Sequence, residues 1–216
     1  TGETTMSAAS DAKSTVYIVD DDQAIRHAME LLMRSVGLDY EIFHSGDDFL
    51  ETYSSDRAGC LVLDIRMPGL GGLELQEKLN EMGSTLPVIF ITGHGDVPMA
   101  VRAMKAGAVD FIEKPFNDEI LLDSIRNALT LDQELRNEQA QRAEIAARLA
   151  HLTPRELEVM GMVTSGQSNK EIATRLGVSA KTVEAHRARV MDKMQADSLA
   201  DLVKMAMLAN FSEQED

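Results

Sequence analysis

Cysteine is almost missing from this chain: Cys60 is the only one in 216 residues. That excludes an internal disulfide framework and fits a reducing cytoplasm. Its place at the start of an apolar run reads as a small core residue rather than a redox sensor. Long apolar runs are missing too. No stretch approaches eighteen consecutive apolar residues, so no membrane span is expected. The start of the chain lacks the basic-then-apolar pattern of a secretory signal. It reads Thr1-Gly-Glu-Thr-Thr-Met6, as an artificial leader would before a native start at Met6, and residues 1–14 are expected to form a disordered tail. The histidines, at 27, 44, 94, 151 and 186, have no metal-ligand spacing.

Basic charge is scarce, and unevenly so. The chain holds 21 Lys and Arg against 36 Asp and Glu, a net charge of −15. Residues 1–150 hold 13 basic against 26 acidic side chains, whereas residues 151–216 hold 8 against 10. The acidity belongs to the first part and leaves the second free to present a basic face to nucleic acid. Apolar residues at 44% and charged residues at 26% are ordinary for a globular protein of one large or two small domains.

Within residues 15–130, five short apolar runs alternate with helical patterns. The runs cover 16–20, 40–44, 61–64, 88–92 and 109–112. Continuous apolarity predicts strands buried on both faces of a parallel sheet. Helices ending at Gly37, Gly83 and Gly107, and a further helix over 117–129, complete a (βα)5 doubly wound α/β fold. Residues 131–150 contain neither Gly nor Pro and are dominated by strong helix formers, which predicts a helical linker. Its interrupted apolar stripe suits a solvated spacer and a dimerising coiled coil equally. Residues 151–211 then read as four helices, over 154–164, 169–176, 180–194 and 198–209, with a short Gly-containing turn between the second and third, as a helix-turn-helix over 169–194 requires.

The chemistry sits at strand ends, where doubly wound sheets place their crevice. Asp20, Asp21 and Asp22 close the first run, Asp64 the third and Thr92 the fourth, while Lys114-Pro115 follows the fifth. Converging carboxylates need a raised pKa, a cation, or both. Mg²⁺, or Mn²⁺ with similar ligand preferences, suits such an oxygen-rich site. Asp64 is then a carboxylate nucleophile for a phosphoryl group, with Lys114 and the Thr92 hydroxyl offsetting the transferring charge.

These segments carry a resemblance. Val19-Asp-Asp-Asp22, Leu63-Asp-Ile-Arg-Met-Pro-Gly69, Ile91-Thr-Gly93 and Glu113-Lys-Pro-Phe116 resemble the receiver domain of two-component response regulators, and residues 92–116 are similar to its FixJ branch. The resemblance implies a flavodoxin-like receiver that accepts phosphate on Asp64 from a sensor histidine kinase. It implies Mg²⁺ held by Asp21, Asp64 and the backbone carbonyl of Arg66, with Asp20 acting through water. It also implies a switch pair, Thr92 and Phe111, and a cis peptide before Pro115. Position 111 carries Phe where many relatives have Tyr, so switching there must work by ring packing.

Leu152-Thr-Pro-Arg-Glu-Leu-Glu-Val-Met160, Asn169-Lys-Glu-Ile-Ala173, Ser179, Thr182 and Val183 resemble the LuxR/NarL-type helix-turn-helix. The resemblance implies a third helix that enters the major groove of promoter DNA. Lys170, Lys181, Thr182 and Lys193 are its candidate phosphate contacts; Glu184, Ala185, Ala188 and Arg189 are its candidates for base edges. It implies a homodimer when phosphorylated, with RNA polymerase as a further partner. A second class of reading keeps the receiver as a phosphate sink or docking module with little DNA binding. A turnover phosphatase is disfavoured, because position 66 is Arg rather than a second carboxylate.

Overall fold

The computed structural model describes residues 14–93 and 97–209. The expectations for residues 1–13, for His94 and for residues 210–211 lie outside them. Two compact units divide between Arg136 and Asn137.

In the first unit, strands β1 (Thr15–Val19), β2 (Asp39–Phe43), β3 (Gly59–Asp64), β4 (Val88–Thr92) and β5 (Asp110–Glu113) form one parallel sheet in the order β2-β1-β3-β4-β5. Strand order reverses between β1 and β3, so the crevice at their carboxyl ends is the natural ligand position. Helices α1 (Gln23–Val36), α2 (Gly46–Thr52), α3 (Gly72–Glu81), α4 (Val97–Lys105) and α5 (Asp118–Leu149) connect or follow the strands. Alternate residues of each inner strand serve opposite layers. On β3, Leu61 and Leu63 pack with Phe49, Leu75 and Phe90, while Cys60 and Val62 pack with Met29, Met33, Leu121 and Ile125. Burial pushes the Cys60 thiol up to about 12, with nearby Asp132 adding to it, so the thiol stays protonated and inert.

Two details depart from the sequence reading. Strands β2 and β5 lie at the sheet edges and are only partly buried, because each has a neighbour on one side alone. Residues 46–52 form a helix of their own, started by Ser45, whose side chain accepts the Asp48 N–H.

Helix α5 runs unbroken through the segment expected as a linker. Within the first unit, its buried Asp132 accepts the Gly59 N–H at 2.9 Å. The same carboxylate accepts both 3.0 and 2.9 Å bonds from Arg136 Nε, and Arg136 also donates to the carbonyls of Asp56 and Arg57. Within the second unit, Ile145 belongs to the core.

That second unit contains α6 (Pro154–Thr164), α7 (Asn169–Leu176), α8 (Ala180–Met194) and α9 (Leu199–Leu208) around Val159, Met160, Ile172, Val183, Val190 and Leu202. Thr153 with Glu156 and Ser168 with Glu171 form capping boxes, satisfying N–H groups that a helix start leaves orphaned. Glu156 does more than cap: Lys193 Nζ donates to its carboxylate at 2.6 Å. That bond first, and the Thr153 N–H second, hold Glu156 down to about 2, against an ordinary 4.5. A depressed carboxylate stabilises the fold above its unfolded value and loses that contribution as pH falls through the folded one. The second unit should therefore lose stability between about pH 4.5 and 2. A Glu156→Gln chain should lose roughly 2 kcal/mol at neutral pH and show a flatter acid limb. Melting of both chains from pH 7 to 2 tests this; parallel curves would refute it.

Candidate functional site

Four of the five strands deliver the acidic site. Asp20 follows β1 and is fully buried; Asp64 ends β3 at 7% exposure; Thr92 ends β4 and is also fully buried. Lys114 follows β5, where a cis peptide joins it to Pro115. The Lys114 N–H bonds the Thr92 carbonyl at 2.7 Å, which draws the loop after β5 against the end of β4. Its ammonium lies 2.7 Å from Asp20 Oδ2 and 3.6 Å from Asp64 Oδ2.

The acidic triplet divides its work. Asp20 Oδ1 accepts the Asp22 N–H, and Asp22 in turn caps α1 by accepting the Ala24 N–H. Asp21 is exposed, and its carboxylate completes a group with Asp20 and Asp64 whose ligand atoms all lie within 4.8 Å. Arg26 on α1, which the sequence did not single out, donates to the Asp20 carbonyl at 2.7 Å and braces this turn. Behind Asp64, the start of α3 approaches so closely that a Cβ on Gly72 would lie 2.3 Å from the Asp64 carbonyl oxygen.

Burial pushes the Asp64 carboxyl up from its ordinary value; Lys114 opposes this and Asp20 reinforces it. Asp64 Oδ1 is buried with no hydrogen-bond partner among the described residues. An orphaned carboxylate oxygen beside two further carboxylates is the donor set of a hard divalent cation. The residues fit such an ion.

Arg66 lies two residues past the end of β3, and its exposed side chain reaches the Met99 sulfur at 3.9 Å. Phe111 pairs in register with Phe90 and packs half-buried against the core layer that contains it.

The other candidate residues gather on α7 and α8. Ser179 starts α8 by accepting the Thr182 N–H, and its hydroxyl lies 2.8 Å from that of Thr182. Lys170, Lys181, Thr182, Glu184, Ala185, Ala188 and Arg189 are all exposed. Two neighbours turn inward instead. Arg187 donates to Asn169 at 2.6 Å and ties α8 to α7. Lys193 was expected to reach phosphate. Its ammonium is engaged by Glu156 and, at 3.2 Å, by the His151 carbonyl, so it belongs to the scaffold. His186 Nδ1 is buried with no hydrogen-bond partner among the described residues. Among the described residues no helix is long and apolar enough to cross a membrane.

Residues 16–126 match the response regulator receiver domain, and residues 150–206 match the luxR family of bacterial regulatory proteins. The chain is 45% identical over 197 residues to the transcriptional regulatory protein FixJ of Bradyrhizobium diazoefficiens, covering 91% of this chain and 96% of that one. It is 45% identical over 196 residues to the response regulator protein TodT of Pseudomonas putida, covering 91% of this chain and 86% of that one. Among solved structures it is similar to the response regulator StyR, with a TM-score of 0.82 and 44% identity over 91% of this chain and 99% of that one.

Proposed function

Because the chain belongs to the response-regulator family, pairing a receiver with a LuxR-type DNA-binding domain, we propose that it carries a histidine kinase's signal through Asp64 to promoter DNA. One Asp64 oxygen attacks phosphorus. The N–P bond of the kinase's phosphohistidine breaks, and its electron pair returns to the imidazole. The Lys114 ammonium and the Thr92 hydroxyl meet the transferred oxygens. Mg²⁺, or Mn²⁺, held by Asp21, Asp64 and the Arg66 carbonyl, with Asp20 acting through water, would supply charge neutralisation at the transferring group. The observation that carries this reading is the buried, unpartnered Asp64 Oδ1 beside Lys114 at the reversal of strand order.

Thr92 bonding to the phosphoryl group lets the Phe111 ring repack, which shifts a pre-existing equilibrium toward a DNA-binding homodimer. Each copy lays α8 in a major groove, at half-sites about one helical turn apart, and the bound dimer engages RNA polymerase. Catalysis is confined to its own phosphotransfer and slow dephosphorylation, in the cytoplasm. Incubation with a small acyl phosphate and Mg²⁺ should add one phosphoryl group, mapped to Asp64 by peptide mass, and should tighten binding to duplexes selected from a random library. A phosphoryl group found elsewhere, or affinity indifferent to it, would sink the proposal.

Lys170, Lys181 and Thr182 contact phosphates in this reading, while Glu184, Ala185, Ala188 and Arg189 face the bases. A Lys181→Ala chain should therefore bind all sequences more weakly, with a salt slope reduced by about 1. Titrations at several salt concentrations measure it, and an unchanged slope would remove Lys181 from the interface.

A further inference from the structure

The C-terminal turn of α8 is held from outside the helix-turn-helix. Arg148, near the end of α5, donates from Nη1 to the Met194 carbonyl at 2.9 Å. Its Nη2 is fixed by Glu144, one turn earlier, at 2.6 Å. Met194 is the last residue of α8, where carbonyls have no partner within the helix. The chain leaves α8 through Gln195 at φ 54, the one non-glycine residue with positive φ among those described. The Gln195 N–H returns to Asp192 and Met191, and the Ala196 N–H to Met191. Arg148 thus takes the terminal carbonyl that these turn bonds leave, and brings positive charge to the negative end of the helix dipole. Lys193, in the same turn, is held through Glu156 and the His151 carbonyl.

We propose that Arg148 is a positioning residue for DNA recognition: it fixes the direction of α8 through the Met194 carbonyl without touching DNA. The inference rests on the reading of α8 as the groove-entering helix. A base-reading helix must be aimed to within a fraction of an ångström, whereas phosphate attraction tolerates looser placement. Loss of the clamp should therefore cost discrimination rather than general affinity.

The test uses the full phosphorylated chain and two duplexes of equal length, one selected by the wild type from a random library and one scrambled. Arg148→Ala should weaken binding to the selected duplex about tenfold, leave the scrambled duplex within twofold, and leave the salt slope unchanged. Arg148→Lys, which keeps a donor for the carbonyl, should recover most of the loss. Equal effects on both duplexes, as general loss of folding would give, or a lysine variant no better than alanine, overturn the proposal. Lys181→Ala, measured alongside, separates the two claims. If its salt slope matches wild type, the groove reading has failed, whatever Arg148 does.

Discussion

An Asp64→Asn chain should take up no phosphoryl group and yet melt higher than the wild type in metal-free buffer. The amide cannot act as the nucleophile, so loss of phosphorylation should be complete. The stability gain follows from the cost of the native carboxylate. Burial raises its proton affinity, and Asp20 adds a second buried negative charge, against the partial relief of Lys114. A carboxylate whose folded pKa is raised imposes no penalty below its unfolded value, near 3.8, and an increasing one as pH rises through the folded value. The amide keeps the shape and removes that charge, for a gain of about 1 kcal/mol, the scale commonly recovered where function has been kept at a strained site. The melting difference should be largest at neutral pH, shrink toward pH 4, and narrow when Mg²⁺ stabilises the wild type by binding its folded state. Calorimetry across that range decides the matter. A variant that melts lower at pH 7 would show that the Lys114 attraction outweighs burial.

Gly59→Ala should cost the receiver more than a typical core truncation, about 3–5 kcal/mol, combining backbone strain with forced overpacking. Gly59 opens β3 at φ +138, a region that side chains rarely enter, and an added Cβ would stand 1.8 Å from the Thr15 carbonyl oxygen. That oxygen belongs to the neighbouring strand, paired with Gly59 in register, so β1 itself would have to move. Its N–H would also be drawn from Asp132, leaving a buried carboxylate short of a donor. Gly37 makes the comparison. It too has positive φ, at +72, but nothing lies within 4 Å of its Cβ position, so alanine there should cost only about 1 kcal/mol. Urea midpoints of the two variants measure the contrast, and equal losses would refute the role given to the Thr15 contact.

Asp20, Asp64, Thr92 and Lys114 were legible in the sequence because each closes or follows an apolar run, and a parallel sheet brings such ends together. Asp22 was legible only as part of an acidic triplet; its separate duty, capping α1, depends on where the helix starts. What escaped were contacts between residues far apart in sequence. Charge type alone made Lys193 resemble a phosphate ligand, because its partner Glu156 lies 37 residues upstream. Nothing local to Asp132 and Arg136 reveals that Gly59, Asp56 and Arg57 await them. Helix α2 was hard to delimit because seven residues with one fully buried aromatic, Phe49, give too little periodicity to read. Edge position is likewise a property of strand order, which β2's own five residues do not encode.

The Asp132–Arg136 anchor bears on how such chains can be recombined. A receiver gene cut at residue 130 would discard the acceptor for the Gly59 N–H and the guanidinium that closes the loop carrying Asp56 and Arg57. Its crossover cost would fall on the receiver, although the cut lies in what reads as spare helix. The tolerated seam lies after Arg136, where the first unit ends. A transplanted output module must then bring its own stretch of helix equivalent to residues 137–149, with an arginine where Arg148 stands, so modular exchange in this architecture breaks within a helix rather than between two.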